Sequence, residues 1–177
     1  MHILLICGSL RAGSVNEATL KTAMDLAPEG VTMSYYTGLD ALPHFNPDHD
    51  HDPPHPAVAD LRTRIDEADA LLICTPEYAG DLPGSFKNLL DWTVGGVETS
   101  GKPAAWINVS TASTGARPTH DSLRRVLGYT DARIVEEACA HLPLPRHLIG
   151  TDGLVGDPAF RADLLARVRA LINSVQE

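Results

Sequence analysis

Long apolar runs, a surplus of basic residues and closely spaced cysteines are all missing from this 177-residue chain. No stretch approaches the roughly 18 consecutive apolar residues of a membrane-spanning helix, which excludes a helical membrane protein. The opening MHILLICGS has no basic start and no long apolar segment, so no secretory leader is expected. Lys and Arg number 14 against 23 Asp and Glu, a formal net charge of −9. That balance excludes the broad basic field on which nucleic-acid and anionic-membrane binding depend. Any anion site must therefore be local. The cysteines Cys7, Cys74 and Cys139 lack the spacing of a zinc site or a CxxC pair. Cys7 and Cys74 end apolar runs, where a thiol reads as a small buried hydrophobe, and a reduced cytoplasmic protein is expected. No repeat or interdomain linker stands out, so residues 1–177 are read as a single domain.

What is present is an alternation of short apolar runs and longer amphipathic ones. Residues 3–7, 31–36, the run ADALLICTP, the run KPAAWINVS and residues 132–138 read as strands. Residues 15–27, 57–68, 118–127 and 158–175 read as helices, as does PGSFKNLLDW, where Pro83 suits the first helical position. Five prolines break residues 39–56 into loop. Continuous apolar strands alternating with helices predict an α/β fold of three layers, a five-stranded parallel sheet covered on both faces. Five strands suit the doubly wound order 2-1-3-4-5. In that order the loops after strands one, three and four, GSLRAGSVN, TPEYAGDLPGS and STASTGA, share the carboxyl edge of the sheet, where such folds bind ligands.

The first loop is a candidate phosphate cradle. It lacks the third-position glycine of GxGxxG, and Ser14 stands where a Walker loop has its lysine. What is left is a hydroxyl-rich turn opening a helix: Ser9, Ser14 and Asn16 offer side-chain donors and Arg11 a charge. An ordinary turn, with Ser14 as helix cap and Glu17 in the first turn, accounts for the same residues. The second loop adds Pro76, Glu77, Tyr78 and glycine at the end of the third strand, a set suited to a planar ring. One phosphate and one flat heterocycle describe a mononucleotide such as FMN.

These residues carry a resemblance. The sequence resembles the NADPH-dependent FMN reductase family of flavodoxin-like proteins, which includes chromate, quinone and azo-dye reductases. The family pattern GSxRxxSxN reads here as Gly8, Ser9, Arg11, Ser14 and Asn16. Its pattern PEYNxxxPGxxKNxxDW reads as Pro76, Glu77, Tyr78, Pro83, Gly84, Lys87, Asn88, Asp91 and Trp92, and the likeness spans about residues 3–127. The resemblance implies that Ser9, Arg11, Ser14 and Asn16 bind the FMN phosphate with the backbone of Leu10 and Val15. It implies that Pro76, Glu77 and Tyr78 contact the ribityl chain and ring, and that Ser113, Thr114 and Gly115 flank the ring's other side. The chain departs from the pattern at Ala79, where the family has asparagine and only a backbone N–H contact is retained. It departs again at Thr114, where the family has the first glycine of a Gly-Gly pair.

The function implied is an FMN-dependent oxidoreductase that takes hydride from NADPH or NADH. Its acceptor is a quinone, an azo compound, a metal oxyanion or free flavin. No side chain is assigned as nucleophile or general base, and Arg11 is a candidate contact for the nicotinamide donor's phosphates as well. The family also implies a homodimer or homotetramer, with Lys87 and Asp91 near the subunit contact. The alternatives are a flavodoxin-like electron carrier without its own nicotinamide turnover, and a structural protein that has lost flavin. Elsewhere, the run HFNPDHDHDPPH reads as a solvated loop rather than a metal site, with His44 or Phe45 as candidate substrate contacts. His120 and Asp121 read as helix capping and surface charge, and Trp92 and Trp106 as packing.

Overall fold

The computed structural model describes residues 1–176. Strands β1 (His2–Cys7), β2 (Thr32–Tyr35), β3 (Ala70–Cys74), β4 (Pro103–Asn108) and β5 (Arg133–Ile134) form a parallel sheet in the order β2-β1-β3-β4-β5. Helices α1 (Val15–Asp25), α2 (Pro56–Asp66), α3 (Gly84–Asp91), α4 (Arg117–Tyr129) and α5 (Pro158–Gln176) cover it. The order is the predicted one.

The central strands are buried on both faces, which is why they read as unbroken apolar runs rather than alternations. Successive side chains still divide between layers. Leu4, Ile6, Leu71, Ile73 and Trp106 pack against Val58, Leu61 and Ile65 of α2, Phe86 and Leu89 of α3, and Leu123 of α4. Ile3, Leu5, Leu72 and Ile107 pack against Leu20 of α1 and Leu164, Val168 and Leu171 of α5. Cys7 and Cys74, paired in register across β1 and β3, are buried in this second layer as expected.

Three details differ from the sequence reading. The expected strand over 132–138 is interrupted: after β5 the chain lifts into a 3-10 turn, Glu136–Ala138, and returns to β4 as a sixth strand, β6 (Ala140–His141). This is an edge, where only one neighbour needs pairing, so three residues can leave the ladder cheaply. The turn buries Ala138 completely. Pro83 is the cap of α3 rather than its first residue, with φ −54° and ψ 137°. The proline-broken segment also contains two 3-10 turns, Leu39–Ala41 and Pro47–His49.

That segment is pinned from α3. Asn88 Oδ1 accepts the Phe45 N–H at 2.8 Å, its Nδ2 donates to the Pro43 carbonyl at 2.9 Å, and Trp92 Nε1 donates to the same carbonyl at 2.8 Å. Phe45 meets the Trp92 ring edge to face, centroids 5.0 Å apart. Two motif residues thus hold a loop, and Phe45 packs on Trp92 within it.

Candidate functional site

The β1–α1 loop begins where Gly8 donates to the Cys74 carbonyl at 2.9 Å. A Cβ at Gly8 would fall 2.1 Å from Thr75 Oγ1, so only glycine lets the ends of β1 and β3 approach this closely. Past it, Ser9 Oγ accepts the Arg11 N–H at 3.2 Å. Ser14 caps α1, accepting the Glu17 N–H at 3.1 Å. The turn reading of this loop is therefore correct, and it does not remove the donors. An Oγ that accepts a backbone N–H still has its own O–H to give. Asn16 Oδ1 takes the Cys74 thiol at 3.3 Å, which leaves its amide as donor. The first N–H groups of α1 have no partner within the helix. Arg11 is exposed and enters no ion pair among the described residues. Glu17 closes the loop from inside: Oε2 accepts the Gly13 N–H at 2.7 Å while Oε1 pairs with Lys21 at 2.6 Å. The Lys21 ammonium, with these backbone donors, holds the Glu17 carboxyl below the usual range.

The β3–α3 loop opens with a tight hairpin. Tyr78 and Asp81 exchange backbone hydrogen bonds of 3.0 and 3.1 Å across Ala79 (φ 52°) and Gly80 (φ 80°). Two successive positive φ values are the signature of a type I′ turn, whose preferred pair is Asn-Gly. The asparagine of the family pattern thus has a backbone explanation, and Ala79 sits in a conformation that alanine disfavours. Glu77 accepts the Thr119 hydroxyl of α4 at 3.1 Å.

In the β4–α4 loop, Asn108 Nδ2 donates to the Gly115 carbonyl at 2.6 Å. Left-handed backbone falls on Gly115 (φ 60°) and Ala116 (φ 49°), not on Thr114. The non-glycine residue that carries left-handed backbone in this loop is therefore Ala116, one step after Gly115.

These three loops meet at the carboxyl edge around a cavity of about 370 Å³, within the roughly 300–1,000 Å³ of small-molecule sites. It is lined by Val15 and Asn16 from the first loop, Thr75, Pro76 and Glu77 from the second, and Val109–Ala112 and Ala116 from the third. Leu144 and Arg146, beyond β6, complete the wall; no sequence motif singled them out, because they arrive from a segment with no periodic signal. Ser9, Leu10 and Arg11 line a separate hollow of about 230 Å³ with Cys7, Glu17 and Tyr35. Ser113, Thr114 and Gly115 line another, with His120 and His141. Tyr78 and Ala79 are exposed at the hairpin tip. His44 lines a fourth hollow with Leu10, Ser85 and Asn88. The sequence-predicted residues thus share one edge but divide among neighbouring recesses.

His120 differs from expectation. It is 7% exposed rather than on the surface, with Nδ1 2.9 Å from the Ala116 carbonyl, and burial pushes its pKa down. Trp106 is buried, as is Trp92, and takes the Arg124 guanidinium over its ring at 5.1 Å. Among the described residues no three His, Cys, Asp or Glu side chains gather as a metal site. In the histidine-rich loop, Asp50 instead pairs with Arg62 at 2.8 Å and His55 caps α2.

The donor set of the first loop fits a phosphate: two hydroxyls, one amide, one unpaired guanidinium and a helix N-terminus. The sequence model of the family described as NADPH-dependent FMN reductase matches residues 1–143. NAD(P)H-dependent FMN reductase PA1204 of Pseudomonas aeruginosa is 32% identical over 173 residues, covering 97% of this chain and 93% of the relative. A 2-hydroxy-1,4-benzoquinone reductase of a Burkholderia species is 34% identical over 140 residues, 77% of this chain and 75% of the relative. Among solved structures, FerB, a flavoenzyme NAD(P)H:(acceptor) oxidoreductase of Paracoccus denitrificans, superposes with a TM-score of 0.81 at 29% identity. That match covers 99% of this chain and 97% of FerB.

Proposed function

The chain belongs to the NADPH-dependent FMN reductase family, and from that premise we propose that its carboxyl-edge cavity holds FMN and that its acceptor is a quinone. It is an FMN-dependent NAD(P)H oxidoreductase. FMN, when bound, supplies hydride acceptance and one- or two-electron transfer. Ser9, Arg11, Ser14 and Asn16, with the backbone N–H groups of Leu10 and Val15, hold the phosphate. Pro76, Glu77, Tyr78 and the backbone of Ala79 lie along the ribityl chain and ring, and Ser113, Thr114 and Gly115 flank the other side. Thr119 fixes the Glu77 carboxylate at the cavity wall. None of these side chains acts as nucleophile or general base; their work is binding, orientation and control of access.

The observation that carries this reading is the meeting of the loops after β1, β3 and β4 around one 370 Å³ cavity, with Asn16 on its wall and Ser9 and Arg11 in a hollow of the same loop. The quinone acceptor is supported by the relative named for 2-hydroxy-1,4-benzoquinone. One functional unit over residues 1–177 and a cytoplasmic location accord with two free buried thiols and a third half-buried. Among the described residues no helix is long and apolar enough to cross a membrane. Exposed Val97 and Tyr129, with the Lys87–Asp91 pair on α3, are the surface we assign to a homodimer or homotetramer.

The test is anaerobic mixing of flavin-loaded protein with NADPH or NADH, followed by a quinone. Bleaching and then recovery of flavin absorbance is the expected result. Bound flavin that neither donor bleaches would instead establish the electron-carrier alternative, and failure of the apoprotein to take up FMN would remove both. For Arg11→Ala, loss of one charge-assisted hydrogen bond is expected to weaken FMN binding about tenfold or more. A raised NADPH KM with FMN affinity unchanged would move Arg11 to the donor.

A further inference from the structure

Two imidazoles meet at a hollow of about 460 Å³ that shares Ala112 with the carboxyl-edge cavity. Asn108, Arg117, His120 and His141 line it beside residues 113–115. The chain carries a net charge of −9, yet no carboxylate lines this hollow.

Each ring has its proton engaged by the backbone. His120 Nδ1 lies 2.9 Å from the Ala116 carbonyl, and His141 Nε2 lies 2.8 Å from the Ser110 carbonyl. A carbonyl only accepts, so each of those nitrogens is the one that carries hydrogen. In a neutral ring the remaining nitrogen is a lone-pair acceptor: Nε2 on His120 and Nδ1 on His141. Burial lowers the His120 pKa and so favours its neutral form. His120 is 7% exposed, and its Nε2 is buried with no partner among the described residues. Buried polar atoms are paired in folded proteins, so this nitrogen marks a bond that a ligand completes. His141 arrives with β6 and lies against Gly115, where a Cβ would fall 3.1 Å from its Cε1. Any side chain at 115 would crowd that ring, and the backbone there is left-handed, φ 60°.

Two lone pairs select a partner that donates. A metal cation also takes imidazoles, but Arg117 lines the same hollow, and among the described residues no third His, Cys, Asp or Glu gathers with the pair. A bare quinone offers only carbonyl acceptors, whereas a hydroquinone or a hydroxylated quinone offers O–H. Resting on the reading that residues 113–115 flank the FMN ring and that the acceptor is a quinone, we propose that His120 Nε2 and His141 Nδ1 select that acceptor by a hydroxyl. They accept O–H bonds from a hydroxyl-bearing quinone and from the hydroquinone it becomes. The hollow therefore holds the reduced product more tightly than an unsubstituted quinone.

The test titrates the flavin-loaded protein calorimetrically, without a nicotinamide donor, with hydroquinone, 4-methoxyphenol and 1,4-dimethoxybenzene. These carry two, one and no hydroxyl on the same ring. Affinity should fall about fivefold for each hydroxyl lost, the worth of one neutral hydrogen bond. His120→Phe and His141→Phe should each flatten the series, while His120→Gln, which keeps an acceptor, should preserve it. Should His120→Phe not fold, His141→Phe, at an exposed side chain, decides alone. In turnover, hydroquinone should compete with quinone, about fivefold more weakly in either Phe variant. Equal affinity for the three ligands overturns the proposal, as does a series unchanged in the Phe variants. Zn²⁺ binding that His141→Phe abolishes, alongside a flat hydroxyl series, also overturns it and makes the hollow a metal site. The titration needs no hydride transfer. A flat series in protein whose flavin is bleached by NADPH and restored by quinone overturns this proposal alone; failure to take up FMN overturns the parent reading and this one with it.

Discussion

Glu17 Oε2 accepts the Gly13 N–H at 2.7 Å, so a carboxylate reaches back across the first turn of α1 and closes the loop that is to receive a phosphate. The contact is local, three residues into the helix, and it is reinforced by Lys21 one turn on. It settles the shape of the cradle before any ligand arrives.

Removing that closure should loosen the loop. Glu17→Ala is expected to cost about 1 kcal/mol of stability, as for a lost capping contact, and to weaken FMN binding. Glu17→Gln keeps an acceptor for Gly13 and should restore most of both. Because the folded-state pKa of Glu17 lies below its ordinary value of 4.5, its contribution is present above that pH and is lost as pH falls through the lower, folded value. Urea unfolding at pH 7 and pH 3.5 checks this: the gap between wild type and Glu17→Gln should shrink at the lower pH. A constant gap would contradict it.

Ala79 carries φ 52° in a two-residue turn. A left-handed conformation costs an ordinary residue about 1–2 kcal/mol, which asparagine and glycine largely avoid. Ala79→Asn should therefore stabilise the protein by about 1 kcal/mol and raise Tm by about 2–4 °C for a domain of this size. Thermal unfolding measures it, and an unchanged or lower Tm would refute the strain argument.

Asn88 bonds to the 43–45 segment through both ends of its amide. Truncation in Asn88→Ala leaves the Phe45 N–H without its partner, while the Pro43 carbonyl keeps Trp92 Nε1, at about 1–3 kcal/mol for the one group left unpaired. The expected result is a loss of about 1–3 kcal/mol together with faster proteolytic cleavage between residues 43 and 56. Cleavage at the wild-type rate would show that the clamp does not hold the loop.

Burial pushes the Cys139 thiol up to about 11 from 9.0, and raises Cys7 and Cys74 as well. A raised folded pKa on a thiol means the neutral form is favoured in the native state. The stabilisation is complete below pH 9, where the unfolded thiol is also protonated, and disappears as pH rises through the folded value near 11. Native protein at pH 8 should react slowly with a thiol reagent until denatured. Between pH 9 and 11 stability should fall less steeply in Cys139→Ala; rapid labelling of the native thiols at pH 8 would be the contrary result.

Much of this molecule is written locally. The unbroken runs at Ile3–Cys7 and Ala70–Cys74 announce strands covered on both faces, because only a sandwiched parallel sheet buries every residue of a strand. Ser14, Glu17 and Gly13 specify the turn into α1 by contacts within five residues, so the candidate cradle is legible without the rest of the chain. What only tertiary structure decided are the long-range placements. Arg146 and Leu144 join the cavity because the chain returns beside β4 through β6, and nothing near them in sequence signals that. Asn88 clamps the 43–45 segment, a role that only the fold reveals because its partners lie 43 and 45 residues away. His120 looks like a capping or surface residue in sequence; its burial beside Trp106, with one ring nitrogen left bare, comes from how α4 docks on the sheet. Local hydrogen bonding and periodicity fix elements and turns, whereas burial and cavity walls depend on which elements meet, a property of the whole packed chain.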